Sequence, residues 1–168
     1  MELKEARQKF IEAWGRLGSE WGINRTMAQV HALLLITPED LTTEEIMEEL
    51  KISRGNANMT LRDLIAWGLV EKRHKAGERK EYFYADKDVW NIARQVAKER
   101  RKRELEPVLK VLDELAKVKG DTKDPQFKTF NKSVTDINKL AKNVDKTFDT
   151  MIKADESWFW GSLLKIFK

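Results

Sequence analysis

The fold is decided by residues 53–83, which read SRGNANMTLRDLIAWGLVEKRHKAGERKEYF. Ser53 is a favourable N-cap, and the apolar residues behind it recur at helical spacing as far as Gly68, a residue suited to the left-handed conformation that ends a helix. After Gly68 the pattern changes to two β-prone runs around a turn that contains Gly77. The stretch therefore predicts a helix over 54–67 followed by a β-hairpin.

Upstream, residues 2–18 are predicted to form a first, amphipathic helix. Its large apolar side chains are spaced by seven, four, three and four, which places them on one stripe. Three glycines are expected to loosen its C-terminal end. The stripe consists of Leu3, Phe10, Trp14, Leu17 and Trp21, and the glycines are Gly15, Gly18 and Gly22.

Two shorter helices lead into the Ser53 helix. Asn24 or Thr26 can cap the first of them, and the second starts at Thr43. Because only residues 51–52 separate that second helix from Ser53, the pair is typical of a helix-turn-helix. A helix-turn-helix followed by a hairpin predicts a winged helix.

The chain turns helical again at Asp88, and Pro107 is expected to kink this helix or to open the next one. Residues 120–125, GDTKDP, form the clearest linker. Beyond the linker, apolar residues step alternately by three and four over four repeats, which is a heptad a/d seam. The seam consists of Phe127, Phe130, Val134, Ile137, Ala141, Val144, Phe148 and Met151.

We expect this seam, with the helix from Trp90 to Leu115, to form the surface of a homodimer. The alternative is that the seam packs back on its own chain as an antiparallel bundle. The Trp158-Phe159-Trp160 tail is expected either to pack onto the helical bundle or to bind a membrane surface.

The predicted fold class is mainly α with a small β-hairpin, a winged helix-turn-helix domain plus long C-terminal dimerisation helices. We expect four regions along the chain. They are an N-terminal helix for packing or dimerisation (1–23), the winged helix-turn-helix DNA-binding domain (24–87), a long linker or dimerisation helix (88–119), and a C-terminal helical region with the heptad seam and the Trp-rich tail (120–168).

The composition of the 168 residues excludes several kinds of site. No cysteine is present, which excludes disulfides, thiol nucleophiles and thiolate metal sites. The two histidines, His31 and His74, have no partner at metal-ligand spacing. No nucleotide-binding glycine loop and no serine nucleophile context occurs. We therefore expect neither an enzyme nor a metal or other cofactor.

The N-terminus lacks the apolar core of a secretory signal, and no run reaches about 18 apolar residues. We expect a cytoplasmic protein without integral membrane association.

The net charge of +4 is an average that conceals unequal segments. Residues 51–80 carry eight bases and three acids, a local balance of +5, whereas residues 39–49 carry six acids and no base. The basic segment contains the Ser53 helix and the hairpin, which indicates a polyanionic partner for these two elements. A second basic run at Lys98–Arg103 is expected to be either a solvated face or a phosphate contact.

The Ser53 helix can be divided into faces at 100° per residue. The side predicted to face inward consists of Ala57, Leu61, Leu64 and Gly68. The opposite side consists of Gly55, Met59, Arg62 and Ala66, with Asn56 on one flank and Asn58 on the other. Asn can pair with adenine, Arg with guanine, and Met can touch a thymine methyl group, so this face suits the major groove. A polar solvated helix is the alternative interpretation. With the hairpin cations added, the predicted DNA-binding residues are Ser53, Arg54, Gly55, Asn56, Asn58, Met59, Arg62, Arg73, Lys75, Arg79 and Lys80.

The stretches 53–64, 67–70 and 77–83 resemble the GbsR-type branch of the MarR winged-helix transcriptional regulators, and the resemblance extends over about residues 10–117. It implies a homodimeric, sequence-specific DNA-binding repressor with a pseudo-palindromic operator. The Ser53 helix would be the recognition helix, and Arg79 would match the wing-tip arginine of the family.

That branch includes choline-responsive members, and an aromatic cage holds a quaternary ammonium by cation–π attraction. Trp14, Trp21 and Trp67 are candidates for such an effector site. The alternative function is a DNA-associated architectural or replication-related winged-helix protein that recruits a protein partner through its C-terminal helices.

Overall fold

The computed structural model describes residues 1–154, and the chain divides into two compact units at the junction between Ile92 and Ala93. The Trp158-Phe159-Trp160 tail lies outside the described residues. Among residues 1–154, no helix is both long enough and apolar enough to cross a membrane.

The first unit opens with two tightly packed helices, α1 (Leu3–Glu20) and α2 (Arg25–Ile36). Gly15 and Gly18 are buried, and a Cβ atom added to them would lie 2.7 Å from Gln29 Cγ and 2.5 Å from Ala28 Cβ, respectively. The expectation that these glycines loosen the helix end is therefore wrong, because they allow α2 to approach closely. Gly22, with a φ of 73°, follows the helix.

The aromatic stripe predicted on α1 flanks this contact rather than filling it. Ile11 is the buried large side chain of α1, whereas Leu3 and Leu17 are exposed. Phe10 and Trp14 stack on each other with ring centroids 5.4 Å apart. The stripe thus leaves an apolar surface beside the α1–α2 packing.

The predicted helix-turn-helix consists of α3 (Thr43–Leu50) and α4 (Arg54–Ala66). Thr42 caps α3 in a reciprocal capping box with Glu45, and Ser53 caps α4 by accepting a hydrogen bond from the Asn56 N–H. Lys51 adopts a left-handed conformation between the two helices. The short turn fixes α4 against its support.

The wing is a three-stranded antiparallel sheet in the order β1-β3-β2. Strand β1 (Leu41–Thr42) precedes α3, and the hairpin strands are β2 (Val70–His74) and β3 (Glu81–Ala85). Leu41 lies opposite Phe83, and Lys72 lies opposite Phe83 from the other side. The added β1 strand anchors the hairpin to the start of α3, and the predicted winged helix-turn-helix is confirmed.

The core of this unit gathers one face from each helix and from β3. Its fully buried large side chains are Val30, Leu33 and Leu34 of α2, Ile46 of α3, and Leu61 and Leu64 of α4.

The second unit is helical. Helix α5 (Val89–Arg100), whose first residues belong to the first unit, continues into a π-helical turn at Arg101–Leu105 and then into α6 (Glu106–Leu115). Pro107 has no N–H to donate to the carbonyl four residues earlier, so the regular ladder cannot pass through it. Within the wider turn, the Glu106 N–H donates to the Arg101 carbonyl instead. The expected kink at Pro107 takes the form of this turn.

Helix α7 (Pro125–Lys153) packs antiparallel to α6 and carries the heptad seam. Some seam residues are covered by their own chain, and others are exposed to solvent. Val134 is buried, and Phe127, Ala141, Phe148 and Met151 are half-buried. The remaining seam residues, Phe130, Ile137 and Val144, are exposed. Five of the eight seam residues therefore pack on their own chain, as the bundle alternative expected, and the other three face outward.

Candidate nucleic-acid interface

Helix α4 is held by one face and presents the other to solvent. Ala57, Leu61 and Leu64 are at most 2% exposed, as predicted, and Thr60 joins them. The prediction that Gly68 also faces inward is wrong, because the helix ends before it and Gly68 is exposed. Trp67 ends the helix, and Gly68, with a φ of 68°, reverses the chain into β2. Because both ends are capped and one face is buried, the orientation of the outer face is fixed.

The outer face carries the side chains that sequence reasoning assigned to base contacts. Asn58 and Arg62 are exposed and have no hydrogen-bond or ion-pair partner within residues 1–154, and Met59 is 51% exposed. Asn56 differs from them because its Oδ1 accepts a hydrogen bond from the Thr60 hydroxyl at 3.3 Å. Asn58, Met59 and Arg62 are thus available to an outside ligand, while Asn56 already has an internal contact.

The N-terminal end of α4 combines a cap, an open glycine and an ion pair. The Ser53 side chain is used by the cap, and a Cβ atom on Gly55 would meet nothing within 4 Å. Arg54 contacts the Glu44 carboxylate of α3, with Nη1 and Oε1 2.9 Å apart. This end of the helix therefore offers backbone N–H groups in open space with a guanidinium beside them.

Arg73, in the wing strand β2, is engaged by three neighbours. Its guanidinium lies 3.7 Å from the centre of the Tyr84 ring, 3.4 Å from an Asp40 oxygen and 3.2 Å from a Glu71 oxygen. The contact with Asp40 joins the hairpin to the segment before β1. Arg73 therefore positions the wing, whatever further contact it makes.

The other hairpin cations become less engaged toward the tip. Lys72 pairs with Glu81 at 2.8 Å, and the Lys75 ammonium lies 3.9 Å from the centre of the Tyr82 ring. The Tyr82 hydroxyl donates to Glu78, and this hydrogen bond raises the pKa of the phenol.

Arg79 and Lys80 lie at the tip, beyond Gly77, whose φ is 81°. Both are exposed, and neither makes a hydrogen bond or an ion pair within 4 Å to any residue in the described part of the chain. The tip thus presents two available cations on a tight turn.

Sequence reasoning missed the residues that hold this surface in place. Asp40 and Glu44 belong to the acid-only stretch 39–49, so the charge contrast with residues 51–80 was a signal for pairing but not for the specific pairs. Lys87 carried no signal. It donates hydrogen bonds to the carbonyls of Leu34 and Thr37, the latter at 2.8 Å, and so caps the C-terminal end of α2.

Behind α4, His31 is buried at 4% exposure on α2, and its Nε2 atom has no hydrogen-bond partner among the described residues. Burial, and secondarily the charge of Lys87, lower the pKa of His31 to about 4. His31 is therefore neutral at physiological pH.

The second basic run, Lys98–Arg103, is largely neutralised within its own unit. Arg100 pairs with Glu104 and Arg103 with Glu99, at 3.1 and 3.0 Å. Arg101 makes a two-pronged contact with Asp145 of α7, at 2.7 and 3.2 Å. The guanidinium lowers the pKa of Asp145. Arg101 therefore fastens the π-helical turn to α7.

The three tryptophans suggested as an aromatic cage have different surroundings. Trp14 stacks on Phe10, Trp21 is 61% exposed after α1, and Trp67 is half-buried at the end of α4. The cage stays a prediction.

Comparison with known proteins bears on the winged helix and on the fold. Residues 21–81, from the turn before α2 to the start of β3, match the model of the MarR family. A solved crystal structure described as a transcriptional regulator is similar to this chain, with a TM-score of 0.66 and 21% sequence identity over 88% of this chain and 95% of that one. At this identity the likeness shows the fold alone. No curated protein matches the chain. Residues 21–81 are thus similar to the MarR family, and the winged helix-turn-helix of the structure is consistent with that similarity.

Proposed function

We propose that this chain is a dimeric, sequence-specific DNA-binding transcriptional regulator that acts as a repressor. The observation that carries the proposal is the outer face of α4, where Asn58, Met59 and Arg62 are exposed and fixed in direction by the buried face behind them. The match of residues 21–81 to the MarR family supports it.

In this proposal α4 enters the major groove. Arg62 donates to the O6 and N7 atoms of a guanine, Asn58 pairs with an adenine, and Met59 contacts a thymine methyl group. The N-terminal end of α4, with Gly55 open and Arg54 beside it, binds a phosphate. Arg79 at the wing tip reaches into the neighbouring minor groove, where a narrow A·T-rich segment attracts a guanidinium.

The outward-facing part of the seam, which consists of Phe130, Ile137 and Val144, supplies the dimer contact. Lys142 of α7 pairs with Asp113 of α6 at 2.8 Å. At about 100° per residue, Ile137 on α7 and Val111 on α6 each point some 140° or more away from that pair. Because α6 and α7 are antiparallel, Ile137 and Val111 both point to the side of the helix pair that lies opposite the Lys142–Asp113 ion pair. Both helices therefore contribute to one apolar face. Its exposed members are Val108, Val111, Phe130, Ile137, Leu140 and Val144.

A second copy on this face would bury these side chains and give the two-fold protein that two half-sites one DNA turn apart require. Assignment to the GbsR-type branch, with a quaternary ammonium effector at Trp14, Trp21 and Trp67, belongs to the same proposal and rests on the sequence resemblance.

The same apolar face also suits the alternative function, in which the winged helix binds any duplex and α6–α7 recruit another protein. Selection from random-sequence duplexes, followed by competition with unrelated duplex, separates the two. A regulator enriches a pseudo-palindrome and prefers it by about 10³-fold or more. Binding without enrichment would contradict the proposal and favour the alternative.

A further inference from the structure

Opposite charges meet where α3 lies beside the N-terminal end of α4. The Glu44 carboxylate is 2.9 Å from the Arg54 guanidinium. A carboxylate of α3 therefore pairs with Arg54, a cation of the proposed DNA surface.

Arg54 is placed where a phosphate would bind. It directly follows the N-cap Ser53, so its side chain leaves the first turn of α4, whose backbone N–H groups favour an anion. Among residues 1–154, the carboxylate that contacts this guanidinium is that of Glu44.

The pair is easily exchanged. The two side chains are 61% and 55% exposed, and ion pairs of this kind are weak and screened by salt. A hydrogen bond from the backbone at the start of α3, and then the contact with Arg54, lower the pKa of Glu44. Its carboxylate is therefore charged at any pH at which DNA would be bound.

We infer that Glu44 is an intramolecular substitute for a DNA phosphate, which holds Arg54 in position until a duplex displaces it. The inference rests on the proposed function. Glu44 then lowers the affinity for every duplex alike, because the contact that it competes with is to the sugar–phosphate backbone and carries no sequence information.

The test measures the binding of the full-length protein to a fluorescent duplex of random sequence at low salt. Glu44→Gln and Glu44→Ala should each bind about threefold more tightly than the matched control Glu48→Gln, a ratio typical of a weak surface pair. Glu48 lies on the same helix, is exposed and makes no ion pair within residues 1–154. The Glu48→Gln substitution therefore removes the same charge without releasing Arg54.

The same substitutions in an Arg54→Ala background give a double-mutant cycle, in which the advantage of Glu44→Gln over Glu48→Gln should vanish. The inference is overturned if Glu44→Gln and Glu48→Gln bind the duplex with equal affinity. It is also overturned if Glu44→Gln still binds more tightly than Glu48→Gln in the Arg54→Ala background. If the wild-type protein binds no duplex, the proposed function is overturned together with this inference. If the wild-type protein binds DNA but Glu44→Gln and Glu48→Gln have equal affinity, the inference alone is overturned.

Discussion

Two basic segments of this chain use their arginines in different ways. On α4, Arg62 is exposed and unpaired within the described residues, whereas at the π-helical turn Arg101 is bound by both oxygens of Asp145. The sequence around Arg101 is the more basic of the two. The number of bases in a segment therefore does not indicate which cations are free to bind DNA, because the acids that neutralise them come from elsewhere in the fold.

Helix α7 also has one side that packs within its own chain and another that is exposed. A charge introduced on the exposed side should give the largest effect, on dimerisation. Ile137→Glu places a charge in the proposed dimer face and should weaken dimerisation by about 100-fold, the size expected for a central apolar contact. The wild-type protein should have about twice the chain mass of 19.7 kDa by light scattering at tens of micromolar.

Thr135→Glu is the matched control, since it makes the same change in charge on another exposed part of α7. A monomeric wild-type protein, or a fully dimeric Ile137→Glu variant, would contradict the dimer face.

Acid should destabilise the two units in different pH ranges, because the groups whose pKa values are shifted by folding differ between them. The pKa of His31 is about 4 in the folded protein, below its ordinary value of 6.5, so stability is fully present above pH 6.5 and is lost as the pH falls from 6.5 toward 4. The loss in the free energy of unfolding of the first unit should be about 2 kcal/mol by pH 5.

In the second unit the pKa of Asp145 is lowered by Arg101, so its contribution persists until the pH falls below the ordinary aspartate value of 3.8. Urea unfolding at pH 7.5 and 5, followed in α2 and α7 peptides by hydrogen exchange, measures the two units separately. His31→Leu should remove the loss in α2, and the exposed His74→Gln should not. Equal acid sensitivity of wild type and His31→Leu would show that His31 is not its cause.

The contrast between the two arginines can be measured as stability. Arg101→Ala should lower the free energy of unfolding seen in α7 peptides by about 1 kcal/mol, because it removes a two-pronged, partly buried ion pair. Arg62→Ala should change the stability of the first unit by less than about 0.5 kcal/mol, since no described residue depends on it. If the two substitutions cost the same, the distinction between engaged and available arginines is wrong.

Local signals explain why the winged helix could be predicted from the sequence. Ser53, Gly68 and Gly77 each act within a few residues, through a cap, a left-handed turn and a hairpin tip. The burial of Leu61 and Leu64 follows from the helical period alone. These features do not depend on which distant segment comes into contact, so a single sequence suffices to place them.

The features that escaped prediction all depend on distant partners. Nothing near Arg73 in the sequence indicates Asp40, and nothing near Lys87 indicates the end of α2. Gly18 was misinterpreted for the same reason, because its role is set by Ala28 on another helix.

The heptad seam has a related ambiguity. Its a and d positions are equally apolar, so the pattern predicts a face for packing. The pattern does not show that only part of this face packs within its own chain.

In the proposed complex α4 reads sequence in the major groove, while Lys75 of the wing contacts the sugar–phosphate backbone. The most direct test of this claim compares Arg62→Ala with Lys75→Ala on a selected operator and on random duplex, over a range of salt concentrations. We predict that Arg62→Ala loses about tenfold or more per half-site on the operator and little on random duplex, since a bidentate base contact is worth about 1–3 kcal/mol. Lys75→Ala should weaken both duplexes alike and lower the salt slope by about one. Equal losses of Arg62→Ala on operator and random duplex would contradict the claim.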